Sequence, residues 1–281
     1  MHICYNGDFF PYDQAIFKIN NRSFLYGDGL FESIRIANGK ILFLADHLER
    51  LKSGMKLLHL NITKDFNVEY FTEKINQLAI KNNSGDSSRI KLNVFRNEGG
   101  LYAPTDDNIS FTISINKNDE NKYILNTAGL FIELFTEIKK NVNVFSSFKT
   151  CNSLIYVLAG IWKNKNSLDD CLLLNESDRL CEGLSSNVFL VKNNHFFTPE
   201  ISEGCIKGVM RGKIIELLQA QGISFSEEKL EIKDLMNAEE VFLTNASTGI
   251  RWVGAFRNKR YFSKYSKEIV SLLNNHIINN G

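Results

Sequence analysis

Apolar residues recur with helical and strand-like spacing over the first part of the chain. Between residues 44 and 58, leucines and a methionine return at intervals of three and four, which places them on one face of an amphipathic helix. Residues 66–81 show a similar pattern, whereas runs rich in Ile, Val and Phe predict strands at 33–37, 41–44, 89–95 and 111–115. We therefore expect residues 1–115 to form an N-terminal α/β lobe.

The segment 116–122 (NKNDENK) interrupts this pattern because it contains no apolar side chain. Such a segment cannot pack against a core, so it predicts a linker between two lobes. Beyond the linker, the spacing predicts helices at 153–163, at 209–221 and from residue 264, with strands at 171–174, 187–191 and 241–244. Residues 123–281 thus predict a larger, strand-rich C-terminal lobe.

Composition and charge argue against several classes of function. The formal net charge is +1 without a dense run of Lys or Arg, so the sequence offers no electrostatic footprint for nucleic acid or an anionic membrane. We expect a small-molecule partner. The N-terminal residues lack the basic and apolar regions of a leader peptide, which predicts a cytoplasmic protein. Widely spaced cysteines predict reduced thiols and no metal site: Cys4, Cys151, Cys171, Cys181 and Cys205.

A first candidate for ligand binding lies at residues 204–217 (GCIKGVMRGKIIEL). Gly208 stands directly before an apolar-periodic helix, so the amides of Val209 and Met210 have no partner within that helix. Helix N-termini of this kind bind anions such as phosphate. Taken alone, the segment also fits an ordinary helix start whose amides contact water.

Lys149 is the second candidate. It stands in residues 145–159 (FSSFKTCNSLIYVLA), between an apolar, strand-like run and an apolar helix, with no acidic residue nearby in the sequence. Desolvation there would favour the neutral amine, which is the form that attacks an aldehyde. The alternative is a surface lysine whose stem lies on the protein while its ammonium reaches water.

Glu182 is the third candidate, in residues 180–191 (LCEGLSSNVFLV), where it precedes a buried-looking strand and two hydroxyl side chains, Ser185 and Ser186. A buried carboxylate is costly unless it is paired. A protonated pyridine nitrogen would be such a partner, since the pair would keep that ring an electron acceptor. A glutamate that stabilises a turn is the other interpretation.

Motifs along the chain give these candidates a common interpretation. They are YGDGLFE (26–32), DHLERL (46–51), FKTxNxL (148–154), EGxSSNxF (182–189) and GVMR (208–211). In this order they closely resemble the class IV aminotransferases, the fold-type IV pyridoxal 5′-phosphate (PLP) enzymes. That family includes branched-chain aminotransferases, D-amino acid aminotransferases and 4-amino-4-deoxychorismate lyases. The resemblance covers nearly the whole chain.

The resemblance implies a two-lobed α/β (α+β) fold, with PLP between a smaller N-terminal α/β lobe and a larger C-terminal lobe. By position, Lys149 becomes the catalytic lysine, which carries PLP as a Schiff base and moves the α-proton of the substrate. Glu182 becomes the partner of the pyridine nitrogen, and Arg50 holds the cofactor phosphate. The other implied cofactor contacts are Ser185, Ser186 and the backbone amides of Val209, Met210, Asn245 and Ala246, and the implied substrate contacts are Tyr26 and Phe31.

The resemblance leaves the reaction open between amino-group transfer and elimination. The spacing from lysine to asparagine in FKTxN is shorter than in branched-chain aminotransferases, and resembles D-amino acid aminotransferases and lyases. Met210, with NA at 245–246, also resembles the lyases. Against this, Leu101 stands where the lyases have an arginine suited to a substrate carboxylate, with Arg96 and Arg251 as alternative cations.

Three functions are compatible with these residues. The first is an aminotransferase that acts on an amino acid, and the second is a 4-amino-4-deoxychorismate lyase, which releases pyruvate in folate and p-aminobenzoate synthesis. A non-catalytic PLP-binding relative is disfavoured because Lys149, Glu182 and Arg50 are all present. A metal hydrolase is disfavoured because no two histidines come within ligand spacing. The resemblance further implies a homodimer.

Overall fold

The computed structural model describes residues 1–14, 16–118 and 120–280, which group into two compact units. Unit 1 comprises Met1–Lys122 with Phe148–Asn152, and unit 2 comprises Tyr123–Ser147 with Ser153–Asn280. Asp119, part of the predicted linker, lies outside the described residues, and the predicted domain limits stay a prediction. Both units mix helices and strands, which confirms the predicted α/β class.

Unit 1 is a six-stranded antiparallel sheet with two long helices packed on it. Its elements are β1 (His2–Tyr5), β2 (Asp8–Pro11), α1 (Arg22–Tyr26), β3 (Gly29–Ala37), β4 (Lys40–Ile41), α2 (Leu44–Leu57), α3 (Val68–Lys81), β5 (Ser88–Arg96) and β6 (Ile109–Lys117). The strands lie in the order β2-β1-β6-β5-β3-β4. Apolar side chains of α2 and α3, including Leu48, Met55, Phe71 and Ile75, form the core with those of β3, β5 and β6.

Unit 2 is built on a nine-stranded mixed sheet. Its elements are β7 (Leu130–Lys140), α4 (Leu154–Lys165), β8 (Asp170–Asn175), β9 (Leu180–Gly183), β10 (Asn187–Lys192), β11 (His195–Pro199), a 3₁₀ turn (Ile201–Glu203), α5 (Val209–Ala220), β12 (Phe225–Glu228), α6 (Ile232–Asn237), β13 (Glu240–Asn245), β14 (Gly249–Phe256), β15 (Lys259–Arg260) and α7 (Tyr265–Asn280). The spatial order is β12-β11-β10-β13-β14-β7-β8-β9, with β15 paired to β14.

The hydrophobic periodicity located the long elements well. The helices predicted at 44–58, 66–81 and 209–221 are confirmed as α2, α3 and α5, within two residues at each end. Buried leucines and valines of β7, β8, β10 and β13 form the main core of unit 2. Within the described residues, none of the helices combines the length and apolar character that a bilayer crossing requires.

Two local expectations were wrong. The strand predicted at 41–44 is limited to Lys40–Ile41, because Phe43 has a left-handed backbone (φ +56°) and Leu44 already begins α2. The strand-like run before Lys149 forms turns instead. Polar side chains hold those turns, since the amide of residue 145 donates to Asn143 Oδ1 at 2.9 Å and the Asn143 amide donates to Ser146 Oγ at 3.0 Å.

Candidate functional site

Lys149 lies in a short segment of unit 1 that pairs with the first residues of β3. The Phe31 amide donates to the Lys149 carbonyl at 2.8 Å, and the Cys151 amide donates to the Gly29 carbonyl at 2.9 Å. Lys149 Nζ lies 4.8 Å from the centroid of the Phe31 ring. The backbone on both sides of the lysine is therefore fixed, and an aromatic face, the predicted substrate contact Phe31, adjoins its amine.

Glycines of the YGDG motif leave room for this segment. Gly27 follows α1 with φ +69°, and a Cβ there would lie 3.3 Å from the backbone nitrogen of Asn152. A Cβ on Gly29 would lie 2.8 Å from the Val94 carbonyl oxygen and 3.2 Å from Cys151 Sγ. The first motif and the lysine motif, far apart in sequence, thus pack together without space for larger residues.

Arg50 lies on α2 in a buried charge cluster with two other residues of unit 1. Its Nε donates to Glu32 Oε1 at 2.8 Å, and its Nη2 donates to Glu32 Oε2. His47 Nδ1 lies 2.7 Å from the same Oε2. Burial alone would raise the pKa of Glu32, but Arg50 and His47 outweigh burial and lower this pKa to about 2. Glu32 is therefore ionised and holds one edge of the Arg50 guanidinium.

Tyr26, the other predicted substrate contact, faces the loop at 99–102. Its ring centroid lies 5.5 Å from that of Tyr102, and the Arg22 guanidinium lies 5.0 Å from the Tyr26 ring. Arg22 Nη1 donates to the carbonyls of Gly99 at 3.0 Å and Leu101 at 2.5 Å. One buried arginine thus fixes the backbone of this loop, while the Leu101 side chain stays exposed.

Arg96, a predicted alternative cation, is fully engaged within unit 1. It bonds Asp28 Oδ2 at 3.0 Å, Asp107 Oδ1 and the Leu58 carbonyl. These acceptors take three of its nitrogens and the side chain is buried. Arg96 therefore serves the fold of unit 1 and is poorly suited to a substrate carboxylate.

Glu182 lies at the end of β9, is buried, and accepts three hydrogen bonds within unit 2. Its Oε1 accepts a bond from Lys140 Nζ and one from the Tyr156 hydroxyl at 2.6 Å. Its Oε2 accepts the Ile206 amide at 2.9 Å. The simple turn-stabilising interpretation does not describe this contact set, because the carboxylate is bound to a cation, a phenol and a distant backbone amide.

The start of α5 is tied to the same region of unit 2 through Ile206. Asn187 Nδ2 donates to the Ile206 carbonyl at 2.8 Å, so this residue links Glu182 to the chain just before the helix. A Cβ on Gly208 would lie 1.9 Å from Asn187 Oδ1, so this close approach requires glycine. Among the residues that the structure describes, no side chain caps the helix start. The first-turn amides of Val209 and Met210 are therefore oriented to accept an anion.

The turn after β13 adjoins this region, because Thr244 pairs with Asn187 across β10 and β13. Asn245 Oδ1 accepts the amides of Ser247 at 3.0 Å and Thr248 at 2.8 Å. The Tyr123 hydroxyl donates to the Ala246 carbonyl at 2.7 Å. The backbone of the predicted phosphate contacts Asn245 and Ala246 is thus held in a tight turn.

Two buried hydroxyls in this region have no hydrogen-bond partner within the described part of the chain. They are Ser186 Oγ, directly before β10, and Thr244 Oγ1, opposite Asn187. Buried donors without partners are costly, and a bound polar ligand would satisfy them. Ser185, by contrast, is exposed. The hydroxyls and the α5 start fit a group that carries phosphate, and Glu182 fits a ring nitrogen.

Several residues of these clusters were not singled out from the sequence. Glu32 lies inside the first motif, where its acidic side chain in an apolar strand is a detectable signal. Lys140, Tyr156 and Thr244 carry no such signal, because nothing local distinguishes them from solvated or core residues. Lys140 and Tyr156 bond to a residue far away in the sequence; Lys140 and Glu182 are 42 residues apart.

Comparison with known proteins decides the family. The sequence model of the amino-transferase class IV family matches residues 29–256, most of the chain. The chain belongs to this family. Four of the five motifs lie within the matched region, and the first, at 26–32, overlaps its start. The resemblance drawn from the motifs is thereby confirmed.

Relatives within the family differ in their reactions. The chain is 31% identical to a predicted branched-chain-amino-acid aminotransferase of Methanocaldococcus jannaschii, over 89% of this chain and 86% of the relative. It is 26% identical to the aminodeoxychorismate lyase of Bacillus subtilis, over 86% and 82% of the two chains. The PLP form of a Thermobaculum terrenum branched-chain aminotransferase superposes with a TM-score of 0.84 at 19% identity, covering 99% of this chain and 93% of that one. This member of the class IV aminotransferase family thus has the fold of its family.

Proposed function

We propose that this class IV aminotransferase is a PLP-dependent enzyme that moves the amino group of an amino-acid substrate, with Lys149 bonded covalently to the cofactor. The observation that carries the proposal is the position of Ile206. It joins a buried carboxylate, Glu182, to the uncapped start of α5. A ring nitrogen and a phosphate on one small molecule need these two kinds of partner at short range.

The side chains of the proposed site have distinct roles. PLP, when bound, supplies an aldehyde that reacts with amines and a pyridine ring that withdraws electrons from the substrate carbon. The Lys149 amine takes the α-proton and returns it, and the backbone bonds to β3 hold this residue in place for the transfer. Glu182 holds a proton on the ring nitrogen through its remaining acceptor capacity.

We assign phosphate binding to a cationic side chain and to uncharged backbone amides. Arg50 supplies a charge-assisted contact, and Glu32 orients its guanidinium. The amides of Val209, Met210, Asn245 and Ala246 supply uncharged donors, and Ser185 and Ser186 lie in the connection between β9, which carries Glu182, and β10. Tyr26 and Phe31 line the substrate side, which offers aromatic surface.

Amino-group transfer is the better supported reaction. Leu101 is an exposed apolar residue on a loop whose backbone Arg22 fixes. Arg96 is bound to two aspartates, so it does not replace the cation that the lyases have at this place. A 4-amino-4-deoxychorismate lyase is the second candidate, supported by Met210 and by similarity to the Bacillus subtilis lyase.

A half-reaction distinguishes these functions. The PLP-loaded protein is mixed with single amino acids, without any oxo-acid, and pyridoxamine 5′-phosphate is measured by mass spectrometry. Formation of this product with one or more amino acids is expected. Pyruvate release from 4-amino-4-deoxychorismate without pyridoxamine phosphate would establish the lyase instead. Failure of both, with PLP bound, would contradict the proposed function.

We also propose a cytoplasmic homodimer. Apolar residues of α4 are exposed at helical spacing, namely Leu154, Val157, Leu158 and Ile161, and a second copy would cover such a face. All five cysteines are free, which suits a reducing compartment. Light scattering on the purified protein measures its mass, and a monomer at micromolar concentration would contradict the homodimer.

A further inference from the structure

A second buried lysine of the chain lies against the proposed ring-nitrogen partner. Lys140 ends β7 and is buried, and its ammonium donates to Glu182 Oε1. The same ammonium lies 5.4 Å from the centroid of the Tyr156 ring. The preceding residue, Lys139, pairs with Asp178 at the surface. The two neighbouring lysines therefore lie in different environments, one partly exposed to solvent and one buried.

The contacts of Glu182 leave limited capacity for a ligand. A carboxylate offers about four lone-pair positions for hydrogen bonds. Described residues occupy two on Oε1, through Lys140 and Tyr156, and one on Oε2, through the Ile206 amide. The remaining acceptor position is therefore on Oε2, next to the amide that leads into α5.

Charge around this carboxylate is balanced by Lys140. Burial, the largest single cause, would lower the pKa of Lys140, but the charge and the hydrogen bond of Glu182, together with smaller contributions from neighbouring groups, raise it. Tyr156, Cys181 and Cys205 also face Glu182, and burial raises the pKa of each, so they stay neutral. Lys140 thus supplies the positive charge of this cluster, and a ring nitrogen would meet a carboxylate that already has a counter-ion.

We propose that Lys140 is a positioning residue that neutralises Glu182 and thereby limits how strongly this carboxylate holds the ring nitrogen of PLP. This inference rests on the proposed function, since it assumes that Glu182 contacts the ring. A carboxylate that shares its charge with an ammonium attracts a second cation less than an unshared one does. Removal of the ammonium should therefore strengthen the contact between Glu182 and a protonated ring nitrogen.

Binding of two cofactor forms to the apoprotein tests this inference without turnover. Affinities for PLP and for its 1-deaza analogue, in which a C–H group replaces the ring nitrogen, are measured by equilibrium dialysis near neutral pH. The ratio of the two affinities isolates the ring-nitrogen contact. We expect the ratio to exceed one in the wild type and to rise at least about tenfold in Lys140→Met, which is the effect of one charge-assisted hydrogen bond. Lys139→Met is the matched control and should leave the ratio unchanged.

The outcomes separate the inference from the proposed function. A ratio that falls to one in Glu182→Gln but is equal in wild type and Lys140→Met would overturn the role of Lys140 and leave that of Glu182 intact. A ratio of one in every protein would overturn the role of Glu182 itself. If Lys140→Met does not fold, Lys140→Gln replaces it, because this change removes the ammonium charge and keeps an N–H donor near Oε1. A ratio at least about threefold higher is then expected from the lost positive charge, and an unchanged ratio contradicts the inference.

Discussion

Each unit contains a buried carboxylate paired to a cation, but the acid and the base have exchanged roles between the two pairs. In unit 1 the acidic residue, Glu32, supports the proposed ligand contact Arg50. In unit 2 the basic residue, Lys140, supports the proposed ligand contact Glu182. A charge that is buried to meet a ligand needs an opposite charge behind it when the ligand is absent, because an unpaired buried charge is strongly unfavourable. The two pairs therefore predict different consequences when either partner is removed.

The largest effect is expected for Glu32→Gln, because it removes the common partner of Arg50 and His47. Loss of one member of a buried ion pair should lower the free energy of unfolding by about 3 kcal/mol at neutral pH, and should weaken PLP binding through a less ordered Arg50. Urea unfolding measures the first and equilibrium dialysis the second. Glu49→Gln, at an exposed residue of α2 next to Arg50, is the control and should change neither.

The pH dependence sharpens this prediction. The pKa of Glu32 is lowered from 4.5 to about 2 on folding, so its stabilisation is complete above pH 4.5 and is lost as pH falls from 4.5 toward 2. The stability difference between wild type and Glu32→Gln should therefore be constant from neutral pH to about pH 5 and shrink at lower pH. A difference that grew on acidification would contradict the assigned charge state.

Glu182→Gln should act more strongly on the reaction than on cofactor retention. Without the negative charge, the ring nitrogen is not held protonated, and the rate of α-proton removal by PLP-loaded protein should fall about a hundredfold. Loss of stability does not discriminate here, because the change also leaves the Lys140 ammonium without its carboxylate. Glu203→Gln is the matched control, since Glu203 is equally buried and paired with Arg179. An unchanged deprotonation rate in fully loaded Glu182→Gln would remove Glu182 from the site.

Arg50→Ala should weaken PLP binding about ten- to a hundredfold, the range of one charge-assisted contact. At saturating PLP the rate should stay close to that of the wild type, because a phosphate contact binds ground and transition states alike. Titration of apoprotein with PLP gives the affinity, and Lys56→Ala on the exposed end of α2 is the control. Wild-type affinity combined with a large rate deficit would show that Arg50 acts elsewhere.

The smallest effect is expected for His47, which reaches the ligand contact only through Glu32. His47→Leu removes one bond to Glu32 Oε2 and should weaken PLP binding by a few-fold, less than Arg50→Ala. His47→Asn retains a donor near the position of Nδ1 and should restore most of the loss. An effect of His47→Leu that equals that of Arg50→Ala would mean that His47 contacts the cofactor directly.

Sequence reasoning identified the parts of the fold that have a strong local pattern. α2 and α3 each carry a continuous apolar face, β5 alternates apolar and polar residues over most of its length, and β10 is a short apolar run, so their patterns were sufficient. The error at 41–44 came from Phe43, an apolar residue with a left-handed backbone that nothing in its composition indicates. The turn before Lys149 was misread because Asn143 and Ser146 form side-chain bonds that outweigh the apolar residues between them.

The candidate site likewise contains residues that the sequence identified and residues that it could not identify. Lys149, Arg50 and Glu182 lie in motifs whose order along the chain identified the family, and unit by unit the structure shows each of them in a fixed, partly or fully buried position. Lys140 and Tyr156 could not be found, because their importance comes from a contact with Glu182 that exists only after the sheet of unit 2 has formed. A charge partner supplied by a different strand has no signature in local sequence.

Covalent attachment of PLP to Lys149 is the central claim, and borohydride reduction tests it most directly. Reduction of the PLP-loaded protein fixes the cofactor on its lysine, and mass spectrometry of proteolytic peptides then locates the modified residue. We expect the label on Lys149 in the wild type, with no stable label in Lys149→Ala and an unchanged pattern in Lys163→Ala, which removes a lysine of α4. A label on any other lysine of the wild type, Lys140 included, would contradict the account.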